Sequence, residues 1–219
     1  LTNLFMVALY KLLVFSRIWL IWKLTKTYAP DALMNHLMHL LLIKLFCNSI
    51  ITKYAFKFQM EAAKHFKIPV YVSEQYPKGL GHTTADINVA NAAMVYEKTK
   101  FSMYTPELQE RLKQDVPQLC SVVLFGIETH VCIEQTVIDL LNEDIVVHIL
   151  ADGVSSRSLM DRGLALQRIQ SLGGFISTSE NVLFKLMKDK KHAQFKQISK
   201  LNKEPTVDTL GFDNSMSKL

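Results

Sequence analysis

The sequence predicts an α/β fold, a three-layer sandwich with helices on both faces of a mostly parallel sheet. Three observations carry that reading. From about residue 50 onward, short apolar runs alternate with longer stretches of helical spacing. The apolar runs are near-continuous rather than alternating, as expected of strands buried on both faces. Breaker residues cluster between segments at 74–84 and at Gly173–Gly174. Strand followed by helix, repeated, closes a parallel sheet with right-handed crossovers.

Residues 54–66 have helical spacing, and IPVYVS (68–73) comes next as a buried strand. The loop 74–84 carries Pro77, Gly79 and Gly81 as breakers. Residues 106–114 read as a helix with Pro106 in its first turn, where its missing N–H costs nothing. SVVLFG (121–126) is a second strand, 130–143 an amphipathic helix, and IVVHIL (145–150) a third strand. A loop at 151–158 leads into a helix over 159–172 that Gly173 and Gly174 end. GFISTS (174–179) is a fourth strand, with helices over 180–189 and 192–203 after it. The domain therefore spans 50–205, with a flexible tail at 206–219 and an atypical apolar, basic segment at 1–49. In parallel sheets, sites form at the carboxyl ends of strands. That singles out the loops 74–84, 127–132 and 151–158.

The charge is uneven. Residues 1–56 hold six basic residues and one acid, Asp31, whereas 57–219 hold 19 basic and 19 acidic residues. A nucleic-acid partner needs a basic face on the folded domain, and the balanced remainder argues against one. Three scattered cysteines, Cys47, Cys120 and Cys132, without a CxxC pair, exclude a disulfide framework and a zinc ribbon. They read as reduced thiols, placing the chain in the cytoplasm or, as the alternative, the mitochondrion. No GxGxxG or P-loop pattern is present, so no cofactor is expected.

The first segment opens on Leu1 rather than Met. Its residues 4–22 have the length of a membrane span. Lys11 and Arg17 roughly cancel the insertion energy of the apolar residues, so a membrane partner is not expected. Residues 33–46 form a second apolar stretch, for which ordinary helical packing is the expectation. His36 and His39 lie three apart but lack a third metal ligand nearby.

The chemistry concentrates in VLFGIETHVCIEQTVIDLL. A buried strand ends at Gly126, and Cys132 falls at the first turn of the next helix. A thiol at such a turn feels the helix dipole and unpaired amides, which favour thiolate. The same amides can hold an oxyanion. Position alone leaves two readings open, a nucleophile and a small packed thiol. Gln75 and Tyr76, after the first of these strands, and His130, two residues before the cysteine, are candidates to line a site. Ser155, Ser156 and Arg157 share the same edge, with capping of the next helix the expected role.

GIETHVCIEQT resembles the nucleophile segment of the isochorismatase-like cysteine hydrolases. SEQYPKGLG (73–81), KTKFSM (98–103), LADGVSSRSLMDR (150–162) and the stretch 178–203 resemble the isochorismatase domain-containing proteins of animals. The resemblance runs over roughly seven tenths of the chain. It implies a three-layer α/β fold and a Cys–Lys–Asp triad hydrolysing an amide or related C–N bond. By motif, Cys132 matches the nucleophile and Lys98 the lysine, with Lys100 its near neighbour. The resemblance also implies a non-proline cis peptide between Ile127 and Glu128, and an oxyanion hole from the amides of Glu128 and Cys132. The two histidines and acid that bind metal in related nicotinamidases have no counterpart, so no catalytic metal is expected.

The third triad member is missing. The resemblance calls for a first strand ending in hydrophobic–Asp–hydrophobic–Gln, and that pattern is absent. Asp31, in YAPDALM, reads as a turn or helix cap. The first strand is thus expected to be missing or replaced, either because it was lost or because residues 1–48 do not belong to the natural folded protein. The resulting expectation is a hydrolase domain impaired by the missing base, acting on an unidentified small molecule and assembling as a homo-oligomer. The alternative is a non-catalytic interaction protein on the same fold.

Overall fold

A computed structural model describes residues 38–43 and 50–203. The candidate span at 4–22, Asp31, His36, Cys47 and the tail at 206–219 lie outside them. The elements in chain order are β1 (Met38–Ile43), α1 (Ile50–Phe66), β2 (Val70–Gln75), α2 (Pro77–Leu80), β3 (Met94–Lys98), α3 (Pro106–Asp115) and β4 (Ser121–Ile127). A π-helical turn (Thr129–Ile133) leads into α4 (Glu134–Asn142), and then come β5 (Val146–Ser155), α5 (Leu159–Ser171), β6 (Phe175–Ser177), α6 (Ser179–Met187) and α7 (Phe195–Leu201).

The six strands form one sheet in the order β3-β2-β1-β4-β5-β6, and every pairing is parallel. The three-layer α/β reading is therefore correct. Helices α1, α6 and α7 pack together, and α4, α5 and the π-helical turn form a second group. Strand order reverses between β1 and β4. In doubly wound sheets that reversal opens a crevice at the carboxyl ends of the two strands, and the π-helical turn leaves β4 there.

Three sequence expectations are corrected. Residues 33–46 are expected to pack as a helix, apart from a first strand that is missing or replaced; the replacement lies within this stretch. Instead Met38–Ile43 fills the position as a strand, pairing Leu40 with Val70 on one side and Val123 on the other. A run such as HLLLI is periodic for neither element, and a central slot between two parallel strands decides in favour of the strand. Strand β3 has no counterpart in the sequence reading. It is a short edge strand with only alternate residues, Tyr96 and Lys98, buried. The loop expected at 151–158 is instead β5 as far as Ser155. A register shift moves the pairing from Leu124–Ile149 to Gly126–Val154, so the strand bulges and then rejoins its neighbour.

Strand β4 is buried along its whole length. Phe125 meets Phe56 of α1 edge-on at 4.9 Å between ring centroids, a geometry that adds about 1 kcal/mol beyond area burial. At the strand's end Gly126 has φ 130°, where a Cβ would be strained. Gly173 (φ 101°) ends α5 in the way the glycine pair suggests. Thr105 caps α3 by accepting from the Leu108 amide, and Ser158 caps α5 by accepting from the Asp161 amide.

Candidate active site at the end of the fourth strand

Beyond Gly126 the peptide between Ile127 and Glu128 is cis, at the position the resemblance implied. Glu128 is extended (φ −86°, ψ 136°), and the chain then closes a wide turn in which the Ile133 amide donates to the Glu128 carbonyl at 3.1 Å. The anticipated helix over 130–143 thus begins as a π-helical turn, and regular α-helix starts at Glu134. Cys132 sits inside that turn and is 7 % exposed.

The carboxyl end of β5 braces the turn. The Thr129 hydroxyl donates to the Ser155 carbonyl at 2.8 Å. His130 Nδ1 and the Ser156 hydroxyl are 2.9 Å apart, and the Arg157 amide donates to Glu128 Oε2 at 2.8 Å. The helix-capping role expected of Ser155, Ser156 and Arg157 is thereby corrected, because Ser158 does the capping. Glu128 Oε2 is also 3.8 Å from His130 Nδ1. His130 is therefore tied to the β5 end as well as to its own turn.

Lys98 ends β3 and is 5 % exposed. Its ammonium donates to Gln75 Oε1 at 2.5 Å, to the Lys100 carbonyl at 2.9 Å and to the Phe101 carbonyl at 2.8 Å. Gln75 in turn donates through Nε2 to the Thr99 carbonyl at 2.7 Å. Lys100 points elsewhere: it is half exposed and paired with Asp139 at 2.9 Å. Of the two, Lys98 is the buried lysine and Lys100 the exposed one, although both border the pocket beside Tyr76. Tyr76 adopts a left-handed backbone (φ 41°) and is largely exposed. With Lys78, Lys98, Thr105 and Glu107 it lines a pocket of about 550 Å³ that Cys132 does not reach.

The electrostatics of Cys132 differ from the expectation. Burial pushes its thiol up from the ordinary value. The Lys98 charge and a backbone hydrogen bond from Glu128 pull it down, and the Glu128 charge opposes them. Burial prevails, so the thiol titrates above its ordinary value. The expectation of a resting thiolate from the helix dipole is corrected for that reason.

Two further residues escape sequence reasoning. Thr136, wholly buried, stands one helical turn beyond Cys132, and the spacing Cys-x-x-x-Thr is the signal that could have found it. Arg162 of α5 donates through Nε to the Val154 carbonyl at 3.0 Å and through Nη2 to the Ala151 carbonyl, spanning the β5 bulge. Among the described residues no group of three or more histidines, cysteines, aspartates or glutamates could hold a metal. Among them also, no helix is long and apolar enough to cross a membrane.

An isochorismatase domain model matches residues 51–181. The chain is 51% identical over 144 residues to isochorismatase domain-containing protein 1 of Danio rerio, covering 66% of this chain and 50% of that protein. It thus spans about half the length of that curated relative. Its fold matches the MAR1 ribonuclease of Caenorhabditis elegans at TM-score 0.71 and 36% identity, covering 79% of this chain and 93% of that one. It also matches YcaC of Escherichia coli, described as an octameric hydrolase of unknown specificity, at TM-score 0.66 and 14% identity, covering 77% and 87%. With the strand order, the cis peptide and the cysteine turn in view, the chain belongs to the isochorismatase family.

Proposed function

We propose that the domain is a cysteine hydrolase acting on an amide or related C–N bond of a small molecule, with Cys132 as nucleophile and Lys98 as its charged partner. The observation that carries this reading is that both side chains are nearly buried at the carboxyl edge of the sheet, where the ammonium's charge favours the thiolate. In the first half-reaction the sulfur bonds to the carbonyl carbon. The C–N bond breaks, and the amine leaves with the thiol proton. Water then adds to the thioester, the C–S bond breaks, and the acid departs with the thiol restored. The amides of Glu128 and Cys132 would hold the oxyanion, and Gln75 and His130 would line the site beside them, with Tyr76 at its outer rim.

The weak point is the proton. A thiol held neutral by burial needs a base, and neither the strand sequence MHLLLI nor the KLFC after it offers a carboxylate. Losing one member of a group that acts as a unit removes most of the rate. Turnover is therefore impaired in this chain. The same two observations favour a second reading, a non-catalytic interaction protein that keeps the fold. No cofactor, metal or nucleic acid enters either reading. We also propose a homo-oligomer, for which Leu159, Met160 and Leu164, exposed on α5, supply an apolar face and the octameric YcaC a precedent of fold. Light scattering on the purified chain reads the subunit number, and a monomer at micromolar concentration would remove that part.

An activated acyl donor, p-nitrophenyl acetate, tests the nucleophile because its leaving group needs no protonation. The expected result is an acetyl thioester on Cys132 by mass spectrometry, lost in Cys132→Ala and strongly slowed in Lys98→Met. Acetylation spread over Cys120 and surface lysines, with none at Cys132, would leave only the interaction protein.

A further inference from the structure

The lysine and the cysteine reside on separate elements, β3 with its adjoining loop and the turn after β4. One side chain joins them. The Thr136 hydroxyl donates to the Cys132 carbonyl at 2.6 Å and accepts from the Met103 amide at 2.9 Å. Thr136 and Met103 are both fully buried. Met103 closes the same short loop whose Lys100 and Phe101 carbonyls grip the Lys98 ammonium. The Ser102 hydroxyl accepts from the Tyr104 amide at 3.2 Å, and Tyr96 donates to the Met103 carbonyl, so the loop is held from within as well.

We propose that Thr136 is a positioning residue that sets the separation between the Lys98 ammonium and the Cys132 sulfur. It touches neither reacting atom. It uses its one proton on the nucleophile turn and its lone pair on the lysine loop, so each element is fixed relative to the other. A single hydroxyl is suited to this because it donates and accepts at once, and in a dry interior both bonds are stronger than in water. A valine of the same shape would fill the space but make neither bond. The Met103 amide and the Cys132 carbonyl would then have to find other partners, and the loop would drift from the turn. The attraction between the two side chains falls as their separation grows. The inference rests on the proposed pairing of Lys98 with Cys132.

The test reads the ionisation of Cys132 in the full chain, as thiolate absorbance near 240 nm with the Cys132→Ser signal subtracted. Alkylation by iodoacetamide at each pH is measured alongside. In Thr136→Val the ionisation midpoint should move up and alkylation at neutral pH should fall on the order of tenfold, the scale on which a lost outer-shell partner acts. Thr136→Ser should restore both. In a Lys98→Met background the valine substitution should add no further shift. A valine variant that melts earlier but titrates like wild type, or one whose shift persists undiminished without Lys98, overturns the inference. Thr136→Ala takes the place of the valine variant should that not fold. The outcomes separate cleanly from the parent reading. If wild-type Cys132 titrates unchanged in Lys98→Met, the pairing itself fails. If it responds to Lys98 and not to Thr136, only the positioning role fails.

Discussion

Gln75 Oε1 accepts from the Lys98 ammonium at 2.5 Å, across the pairing of the last residues of β2 and β3. The acceptor is neutral, so it orients the cation without cancelling its charge, and that charge remains available to the Cys132 thiol. Gln75→Glu would alter this. A carboxylate at that place offsets the ammonium's field, and the thiol should then titrate at still higher pH. Gln75→Leu should instead leave one N–H of a nearly buried cation without its partner, costing about 1–3 kcal/mol. Thermal melts and the alkylation profile of Cys132 separate the two: the glutamate variant should keep its stability and shift its profile to higher pH. A glutamate variant whose Cys132 reacts more readily at neutral pH would contradict the role given to Lys98.

The pH dependence of Cys132 comes from the same balance. Burial raises the thiol above its ordinary value, and Lys98 only partly opposes that. Alkylation of Cys132 should therefore still be climbing at a pH where an ordinary thiol has levelled off. Lys98→Met should displace the curve further upward, because burial then acts unopposed. Rates from pH 6 to 10, with each cysteine tracked by peptide mass spectrometry, check this. A Cys132 curve that levels off near neutrality would show a thiolate that the burial argument forbids.

How far the chain is legible in its sequence divides along a physical line. The runs SVVLFG and IVVHIL are long, β-branched and buried on both faces, so composition alone marks β4 and β5. Strand β3 is an edge strand whose inward residues, Tyr96 and Lys98, are an aromatic ring and a charged side chain, and no periodic signal survives in five residues. Strand β1 is defined by its two neighbours and not by its own spacing. At the proposed site, the roles given to Cys132 and Lys98 rest on motif resemblance, since the turn position of Cys132 fits a packed thiol as well as a nucleophile and a lone lysine carries no positional signal. The contacts of Ser155, Ser156 and Arg157 with the Cys132 turn depend on a β5 bulge, and register shifts of that kind are not written in local propensity. The thiol's protonation escapes a sequence reading because the dipole of a turn is a local property while burial is a property of the whole fold.

Arg162, half-buried on α5, should matter to the shape of the site edge. Its guanidinium donates to the Ala151 and Val154 carbonyls on either side of the β5 bulge. The next residue, Ser155, accepts from Thr129 of the Cys132 turn. Arg162→Met would leave two half-buried carbonyls to water or to nothing, a loss on the order of 3 kcal/mol. For a domain of this size that lowers the melting temperature by about 6–12 °C. Arg162→Lys should recover little, because a single ammonium lacks the planar fork that reaches both oxygens. Melting temperatures of the two variants within about 2 °C of wild type, roughly the scatter expected of neutral surface changes, would refute the clamp.

Glu74 gives the fold an acid-sensitive tie. Its carboxylate is 6 % exposed. It accepts from the Thr83 amide and hydroxyl, each at 2.6 Å, and lies 2.7 Å from His82 Nδ1. Burial works against the charge, but the bonds from Thr83 and then His82 outweigh it, and the group stays ionised below the ordinary glutamate range. Linkage sets the sign. A carboxyl whose folded pKa is depressed contributes stability that is complete above its unfolded value, near 4.5, and is lost as pH falls through the lower folded value. Glu74→Gln should therefore melt earlier than wild type at every pH from 7 down to about 5. Below about 4.5 the margin should shrink, because wild type then loses the same charge. Melting curves of both proteins at half-unit steps from pH 7 to 3 measure it. A margin that stays constant through pH 3.5, or that widens there, would mean that Glu74 is held by packing and not by its charge.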